Sequence, residues 1–313
     1  MINRTLHRFS RSVRYGVVLV AALLAGTLPV RAEELYFVDA HSQVDGEVRN
    51  LSLITERMQQ NGVRKTILAA RSGRTNQDIL DLADQSGGAI IPAIRTKSEA
   101  YNKNKPAYYS KLERQGTSGR FGAIAEVLMY HARKGNKAPE VKVLPSDKRV
   151  QAALGVAKEN HWPFVAHIEF AALSGNARKE FMQQFIALLE RNRDVPIVLM
   201  HVGQLQATEA GALLGQHSNL YLNVAHTDRF TINRSSEPWT DLFQGDSIKP
   251  AWQALMNQYP DHFIFALDNV WAEHWESFYP NKVKLWRKAL GELPPKVASA
   301  IAHGNAERLW HLQ

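Results

Sequence analysis

Short β-branched or apolar runs alternate with amphipathic stretches along most of the chain. Each run is bounded by residues that favour turns, and its length is typical of a parallel strand buried on both faces. Eight strands are predicted in this way: Leu35–Ala40, Arg64–Ala70, Ala89–Ile94, Phe121–Leu128, Phe164–His167, Pro196–Met200, Leu220–Ala225 and Phe263–Leu267.

The stretches between these runs carry apolar residues at helical spacing, and several of them end at asparagine, glycine or proline, which commonly terminate helices. The predicted helices are Leu51–Asn61, Asn76–Gln85, Lys148–Asn160, Asn176–Arg193, Ala207–Leu214 and Lys249–Tyr259, with closing helices over Lys282–Leu290 and Pro295–Leu312.

Regular alternation of strand and helix predicts a parallel sheet. Eight strands favour an α/β fold of the (β/α)8 TIM-barrel type over an open doubly wound sheet. The first strand is followed by no Gly-x-Gly-x-x-Gly motif that would indicate a dinucleotide site. The longest irregular segments, residues 96–120 and 227–248, follow the third and seventh strands and are expected to form loops over the face where the strands end.

The first 32 residues have the composition of a secretory signal peptide. Residues 1–15 hold four arginines and no acid, residues 16–30 are almost wholly apolar, and small residues occupy the −3 and −1 positions of a cleavage site before residue 33. The apolar run is shorter than the roughly 20 residues of a spanning helix, so no stable membrane anchor is expected after cleavage. We therefore predict a signal peptide over residues 1–32, one barrel domain over residues 33–313, and a periplasmic or secreted protein.

The overall charge changes little about this picture. The chain carries a net charge of +8, but five of its arginines lie in residues 1–32, which contain no acid, so the remainder carries only +3. Nucleic-acid binding is therefore not predicted. The chain has no cysteine, which excludes disulfides, thiolate ligands and cysteine nucleophiles. A bound metal would have to use histidine, carboxylate or carbonyl ligands.

Every predicted strand ends in polar or ionisable side chains. These residues are His41, Arg71, Arg95, His131, His167, His201, His226 and Asp268, with Glu126 inside the fourth strand. The carboxyl ends of the strands of a barrel converge on one mouth, where catalytic groups usually lie. Imidazole and carboxylate groups without thiolate suit Zn²⁺, Mn²⁺ or Fe²⁺.

Each residue also has a plainer interpretation when it is considered alone. A single histidine at a strand end is more often a hydrogen-bonded structural residue than a ligand, and Arg71, Arg95 or Glu169 alone favours a solvated rim. Four histidines and one aspartate at equivalent positions make chance the weaker account.

Several short motifs, taken in order, resemble those of the amidohydrolase superfamily, particularly its branch of metal-dependent hydrolases and decarboxylases. The first strand of that family ends in Asp-x-His-x-His, single histidines follow strands five and six, an aspartate follows strand eight, and the closing helix reads Gly-Asn-Ala-x-Arg-Leu-aromatic. The matching residues are Asp39, His41, His167, His201, Asp268 and the segment Gly304–Trp310.

The resemblance implies roles for these residues. His41 and Asp268 would bind the metal together with His167, His201 or both, and a metal-bound hydroxide would attack a carbonyl carbon. Asp268 would relay the proton to the leaving group. In the decarboxylase relatives the histidine after the sixth strand acts as a base instead of a ligand, so the resemblance implies either role for His201. Glu126 would be either a bridging ligand or a residue that supports the ligands.

Gln43 departs from the family pattern, because it stands where the second histidine of the first motif belongs. An amide oxygen is a poor zinc ligand compared with imidazole. One ion is therefore favoured over two, with zinc ahead of manganese or iron. Arg71 and Arg95 form a candidate clamp for an anionic substrate, and His131 and His226 are further candidate substrate contacts. The tryptophan-rich segment Asn269–Trp275 would line a stacking pocket or pack against the closing helices.

Three functions are consistent with these residues. The first is a metal-dependent hydrolase of a small amide, ester or lactone, the second is a metal-dependent carboxy-lyase (decarboxylase) on the same scaffold, and the third is a catalytically degenerate exported binding protein. A serine hydrolase is disfavoured because no Gly-x-Ser-x-Gly motif occurs. The expected partner is a small-molecule substrate, and the oligomeric state is left open.

Overall fold

The structure is a computed structural model that describes Met1 and residues 35–134 and 138–312. The predicted signal peptide over residues 1–32 lies almost wholly outside these ranges. Among the helices that the structure does describe, none is both long and apolar enough to cross a membrane.

The strands alternate with helices from the beginning of the described part. They are β1 (Phe37–Val44), β2 (Val63–Ala70), β3 (Ile90–Ile94), β4 (Ala123–Ile124), β5 (Val127–His131), β6 (Val141–Lys142), β7 (Phe164–Ile168), β8 (Ile197–Leu199), β9 (Leu220–Asn223), β10 (Phe243–Gln244), β11 (Ser247–Ile248) and β12 (Phe263–Ile264).

The principal strands run parallel in two ladders that together close a barrel. One ladder has the order β1-β2-β3-β4, and the other has the order β12-β9-β8-β7-β5-β6. The interruption between β4 and β5 is bridged by Ala125, whose amide donates to the carbonyl of Ile94 at 3.0 Å. The last strand meets the first where the Ala40 amide donates to Phe265 at 3.1 Å and the Asp268 amide donates to His41 at 2.8 Å. These bonds confirm the predicted (β/α)8 barrel.

The α-helices lie between and after the strands. They are α1 (Ser52–Asn61), α2 (Asn76–Gln85), α3 (Glu99–Asn102), α4 (Pro106–Gly116), α5 (Lys148–Glu159), α6 (Gly175–Arg191), α7 (Ala207–Leu214), α8 (Arg229–Ile232), α9 (Pro250–Gln258), α10 (Tyr279–Leu290), α11 (Pro295–Ser299) and α12 (Asn305–Leu309). The bounds of α2 and α7 coincide with the predicted ones.

The expectation of an irregular segment over residues 96–120 is wrong. It contains α3 and α4, and α4 begins at a proline, a residue preorganised for the first position of a helix. Only Tyr108 and Leu112 of α4 are buried, so its apolar stripe is too narrow to stand out from the polar sequence. The second long loop, residues 227–248, likewise contains α8 and the β10–β11 hairpin.

The apolar side chains form two clusters. The smaller one is rich in alanine and valine from the strands, including Ala40, Ala69 and Ala93, and it has the composition expected of a narrow barrel interior. The larger one gathers bulky residues of strands and helices, including Phe185 and Trp286. The small inner residues let the strands close tightly, so the polar groups at their carboxyl ends meet in one place.

Trp286 offers a direct test of this packing. It is fully buried on α10 and lies edge-on to Phe243 and Phe265, with ring centroids 5.0 and 6.0 Å away. Trp286→Ala is expected to lower the free energy of unfolding by about 3–5 kcal/mol because it leaves a cavity in the core. The matched control is Trp271→Ala, since Trp271 is partly exposed. Equal shifts of the two variants in guanidinium denaturation would contradict the assignment of Trp286 to the core.

Candidate metal centre at the carboxyl ends of the strands

A cavity of about 580 Å³ opens at the carboxyl ends of the strands. Most of the predicted site residues line it: Arg71, Glu126, His131, His167, His201, His226 and Asp268. His41 is fully buried beside Glu126 and Asp268 at the base of the same group. The strand ends therefore converge as the barrel prediction requires.

The first strand brings its polar residues into this group through a β-bulge. Between two paired positions, Asp39 with Thr66 and Ser42 with Leu68, β1 has two residues where β2 has one. A bulge of this kind bends the strand and re-aims its side chains, and bulges are common beside active sites. The extra residue breaks the simple alternation of β1, and both His41 and Gln43 contact the two carboxylates of the site.

Three residues at the ends of later strands adopt a left-handed backbone. The φ angles of His201, His226 and Asp268 are 55°, 58° and 44°. A non-glycine residue pays a conformational cost in this region, and such strain concentrates at functional sites.

Asp268 lies at the centre of the group. Its Oδ1 accepts a hydrogen bond from Gln43 Nε2 at 3.0 Å and lies 3.6 Å from His41 Nε2. Its Oδ2 lies 3.4 Å from His226 Nε2 and 3.6 Å from His201 Nε2. Both distances are longer than a normal hydrogen bond. Burial raises the pKa of Asp268, but the charges around it, His226 first among them, outweigh this effect and the net shift is downward.

Glu126 is the second buried carboxylate, and both of its oxygens are already paired. Oε1 accepts from Gln43 Nε2 at 3.0 Å and from the Lys97 ammonium, and Oε2 lies 2.5 Å from His167 Nδ1. Burial raises the pKa of Glu126, but Lys97 and His167 lower the pKa by a larger amount. The net shift is downward, so the carboxyl is held ionised. A buried carboxylate needs such partners to offset the loss of water.

Glu169 continues this chain of charges on the other side of His167. Its Oε1 lies 3.2 Å from His167 Nε2 and 2.9 Å from Lys134 Nζ, and its Oε2 accepts from the Ala132 amide at 2.6 Å. Glu169 is almost fully buried, so the expectation of a solvated-rim residue is wrong. The amide of Ala132 and the ammonium of Lys134 supply the partners that a buried carboxylate requires.

His201 and His226 form the wall beside Asp268. Their rings stack in parallel with centroids 4.5 Å apart, and Trp239 lies edge-on to both at 5.1 Å. Nδ1 of His201 lies 3.2 Å from the carbonyl oxygen of Ala225. Because a carbonyl only accepts, this contact assigns the proton to Nδ1 and leaves Nε2 unprotonated. Burial lowers the pKa of His201 to about 4, which keeps the ring neutral.

The donors fit a divalent cation. Among the described residues, four groups of three side chains place their ligand atoms within 4.8 Å of one another: Glu126, His167 and His201; His131, His167 and Glu169; His201, His226 and Asp268; His41, Glu126 and Asp268. Nε2 of His41 and both ring nitrogens of His226 are buried with no hydrogen-bond partner in the part of the chain that the structure describes. Unpaired imidazole nitrogens facing carboxylates are a chemistry that suits zinc and similar ions.

The two predicted arginines behave differently. Arg71 lines the cavity and lies over the ring of Trp271 at 5.3 Å. Arg95 is absent from the lining residues in the described part of the chain, and its Nε donates to the Lys97 carbonyl at 2.8 Å. The two do not form one clamp, because only Arg71 faces the cavity.

The tryptophan-rich segment Asn269–Trp275 has one tryptophan in each of the two predicted roles. Trp271 faces the cavity, as expected of a stacking pocket, while Trp275 is buried and donates to the Gln43 carbonyl at 3.2 Å.

The sequence analysis missed further cavity residues, among them Lys97, Lys134 and Trp239. Glu169, which the sequence analysis left at the rim, lies two residues beyond His167. Side chains two positions apart in an extended chain share a face, so a period-two pattern carried past the strand end would have indicated Glu169, but it would not have indicated Lys97, because Arg95 two positions before it does not face the cavity. No comparable signal marks Trp239, which lies in the segment after the seventh strand of the barrel.

Comparisons with known proteins agree with this fold. A family model described as amidohydrolase matches residues 106–312. No curated protein sequence matches the chain.

Several solved structures share the fold. One is 4-oxalomesaconate hydratase from Rhodopseudomonas palustris, with 14% identity, a TM-score of 0.58, and alignment over 88% of this chain and 95% of that one. Another is an uncharacterised TIM-barrel protein from Bordetella bronchiseptica, with 17% identity, a TM-score of 0.54, and coverage of 84% and 83%. A third is an amidohydrolase from Burkholderia multivorans with bound zinc, with 11% identity, a TM-score of 0.52, and coverage of 89% and 100%.

The burial of Glu169 makes a testable difference. Glu169→Gln removes the charge that pairs with Lys134 and His167, and it is expected to lower the free energy of unfolding by about 1–3 kcal/mol. Glu273→Gln is the matched control, because Glu273 also lines the cavity but is exposed, with Arg234 4.0 Å away. We expect its effect to stay within about 0.5 kcal/mol in urea denaturation. Similar losses in both variants would remove the structural role assigned to Glu169.

Proposed function

The chain belongs to the amidohydrolase family, and we propose that it is a metal-dependent hydrolase that cleaves an amide, ester or lactone bond of a small anionic molecule. The observation that carries this proposal is the position of Asp268, whose two oxygens lie within 3.6 Å of imidazole nitrogens from three different strand ends. Such a convergence of imidazole and carboxylate groups is what a catalytic metal site requires.

Asp268 and His201 are the residues that we assign to the ion first. Both line the cavity. His201 presents an unprotonated Nε2 toward Asp268 Oδ2, and this oxygen has no hydrogen bond of normal length to any described residue. A divalent ion bound there would supply Lewis acidity and lower the pKa of bound water toward neutrality. Zinc is proposed ahead of manganese and iron, and the zinc in the Burkholderia multivorans structure supports testing it first.

The chain's own residues then account for the rest of the reaction. Water adds its oxygen to the substrate carbonyl carbon, the Asp268 carboxylate takes the proton that the water loses, and it returns this proton to the leaving nitrogen or oxygen as the bond breaks. Trp239 and Trp271 form part of the cavity wall and exclude water from the bound substrate. The composition of residues 1–32 supports our further proposal that the protein acts after export.

Arg71 supports the anionic substrate. In the described part of the chain no carboxylate forms an ion pair with its guanidinium, which instead stacks on Trp271 at the cavity wall. A guanidinium held in this way can bind a carboxylate or phosphate through two parallel hydrogen bonds.

The first prediction of this proposal concerns the metal and the reaction together. Hydrolysis of a panel of anionic amides, esters and lactones is expected to require bound metal. His201→Ala is expected to lower kcat/KM by more than about 100-fold, because the loss of a residue that only hydrogen-bonds to a metal ligand already lowers metal affinity or activity by about 10- to 100-fold. Elemental mass spectrometry and product analysis provide the measurements. Release of carbon dioxide without hydrolysis would reassign the protein as a carboxy-lyase. A folded protein that takes up no metal when zinc is offered would be a binding scaffold.

The second prediction concerns substrate charge. Arg71→Ala is expected to raise KM for anionic substrates by about 10- to 100-fold, because it removes charge-assisted hydrogen bonds worth about 1.5–3 kcal/mol. Arg95→Ala is the matched control and is expected to change KM little, because Arg95 bonds to a neighbouring carbonyl. If neutral and anionic substrates respond alike to Arg71→Ala, the anionic subsite is wrong.

A further inference from the structure

The two oxygens of Asp268 face different surroundings. Oδ1 points to Gln43 and His41, and Oδ2 points to His201 and His226. We call these the inner and outer sides of Asp268. They correspond to two of the four donor groups, one with His41 and Glu126 and the other with His201 and His226. The question is which side binds an ion.

The inner side already contains positive charge and hydrogen-bond donors. Gln43 Nε2 donates to Glu126 Oε1 and to Asp268 Oδ1, both at 3.0 Å, so its two amide hydrogens are used by the two carboxylates. The Lys97 ammonium contacts the same Glu126 oxygen. These groups lie where an ion shared by Glu126 and Asp268 would have to sit, and Lys97 would repel it.

The outer side has the opposite character. Asp268 Oδ2 is 3.4 Å from His226 Nε2 and 3.6 Å from His201 Nε2, and neither ring nitrogen of His226 has a hydrogen-bond partner among the described residues. The Ala225 carbonyl fixes the His201 proton on Nδ1 at 3.2 Å, which leaves Nε2 free to bind. A second hydrogen bond of this kind commonly orients a metal-binding histidine.

Access and backbone conformation separate the two sides as well. His201, His226 and Asp268 all line the cavity, whereas on the inner side Glu126 and Lys97 line it and the two possible ligands from β1, His41 and Gln43, are not among its described lining residues. The same three outer residues have left-handed backbones, whereas His41, in the bulge of β1, does not. An ion could therefore enter and leave from the outer side, and the conformational cost at its three ligands would have a function.

We propose that this protein binds a single divalent ion on the outer side, through His201, His226 and Asp268, and that Lys97 and Gln43 replace an ion on the inner side. The inference rests on the proposed function for the presence of a metal, and it adds which ligands hold the metal and why there is one ion. His226 is thereby a ligand and not a substrate contact. His41 supports Asp268 and Glu126 without binding the ion.

The test compares two histidine variants of equal chemistry. Purified wild type, His226→Ala and His41→Ala are each incubated with zinc, freed of excess ion, and measured by elemental mass spectrometry. Wild type and His41→Ala are expected to hold about one zinc per chain, and His226→Ala is expected to lose zinc affinity by at least about 10- to 100-fold. Loss in His41→Ala, or retention in His226→Ala, overturns the proposal and leaves the metal-dependent function standing. A wild type that stays empty overturns both.

Folding is controlled by a second measurement on the same samples. Zinc that binds only the folded chain raises Tm, and this rise is expected in wild type and His41→Ala but not in His226→Ala or the more conservative His226→Asn. Circular dichroism without zinc shows whether each variant is folded. A zinc-dependent rise of Tm in folded His226→Asn equal to that of wild type contradicts the assignment of His226.

The inner side is tested by removing its internal cation. Lys97→Met with Gln43→His takes away the ammonium and places an imidazole beside Glu126 and Asp268, so the zinc content is expected to rise from about one to about two per chain. Lys158→Met serves as a control for the loss of one positive charge, because Lys158 pairs with Asp194 on the surface. A double variant that stays at one zinc, or a wild type that already holds two, overturns the role assigned to Lys97 and Gln43.

Discussion

Closure of the barrel between its last and first strands is the constraint on which the site depends. The Asp268 amide donates to the His41 carbonyl at 2.8 Å, and the Leu267 amide donates to the buried carboxylate of Asp39 at 2.9 Å. Residues more than two hundred positions apart become neighbours through these bonds. Without this seam the first and last strands would be free edges, and the carboxylate of Asp268 would have no fixed position relative to the imidazoles.

The seam brings several carboxylates into a space with little water, and much of the remaining structure serves to pair them. Glu126 is paired by Lys97 and His167, and Glu169 is paired by Lys134 and His167. The two lysines come from the segments that follow β3 and β5. Because buried charges are costly without partners, these segments help to hold the floor of the site together as well as to cover it.

The sequence predicts the barrel and most of the site because both depend on local periodicity. Alternation of strand and helix indicates the fold, and reading the end of each strand finds His41, His167, His201 and Asp268. The missing parts depend on tertiary contacts. Glu169 is a charged residue that the sequence alone does not place in the interior. Its partners in the fold, the Ala132 amide and the Lys134 ammonium, come from the segment after β5. The helix at Pro106–Gly116 has too few buried positions to show a stripe. The assignment of signal peptide and metal ligands stays a prediction.

The strands of the barrel differ in length. β1 and β2 are eight residues each, whereas the three neighbouring strands β8, β9 and β12 are three, four and two residues long. Local opening costs least where a ladder has few bonds, so amide hydrogens of these three strands should exchange with solvent sooner than those of β1 and β2. His201, His226 and Asp268 follow the three short strands. A ligand that joins these side chains therefore holds together the strands that open first, and occupancy of the site becomes coupled to resistance against proteases.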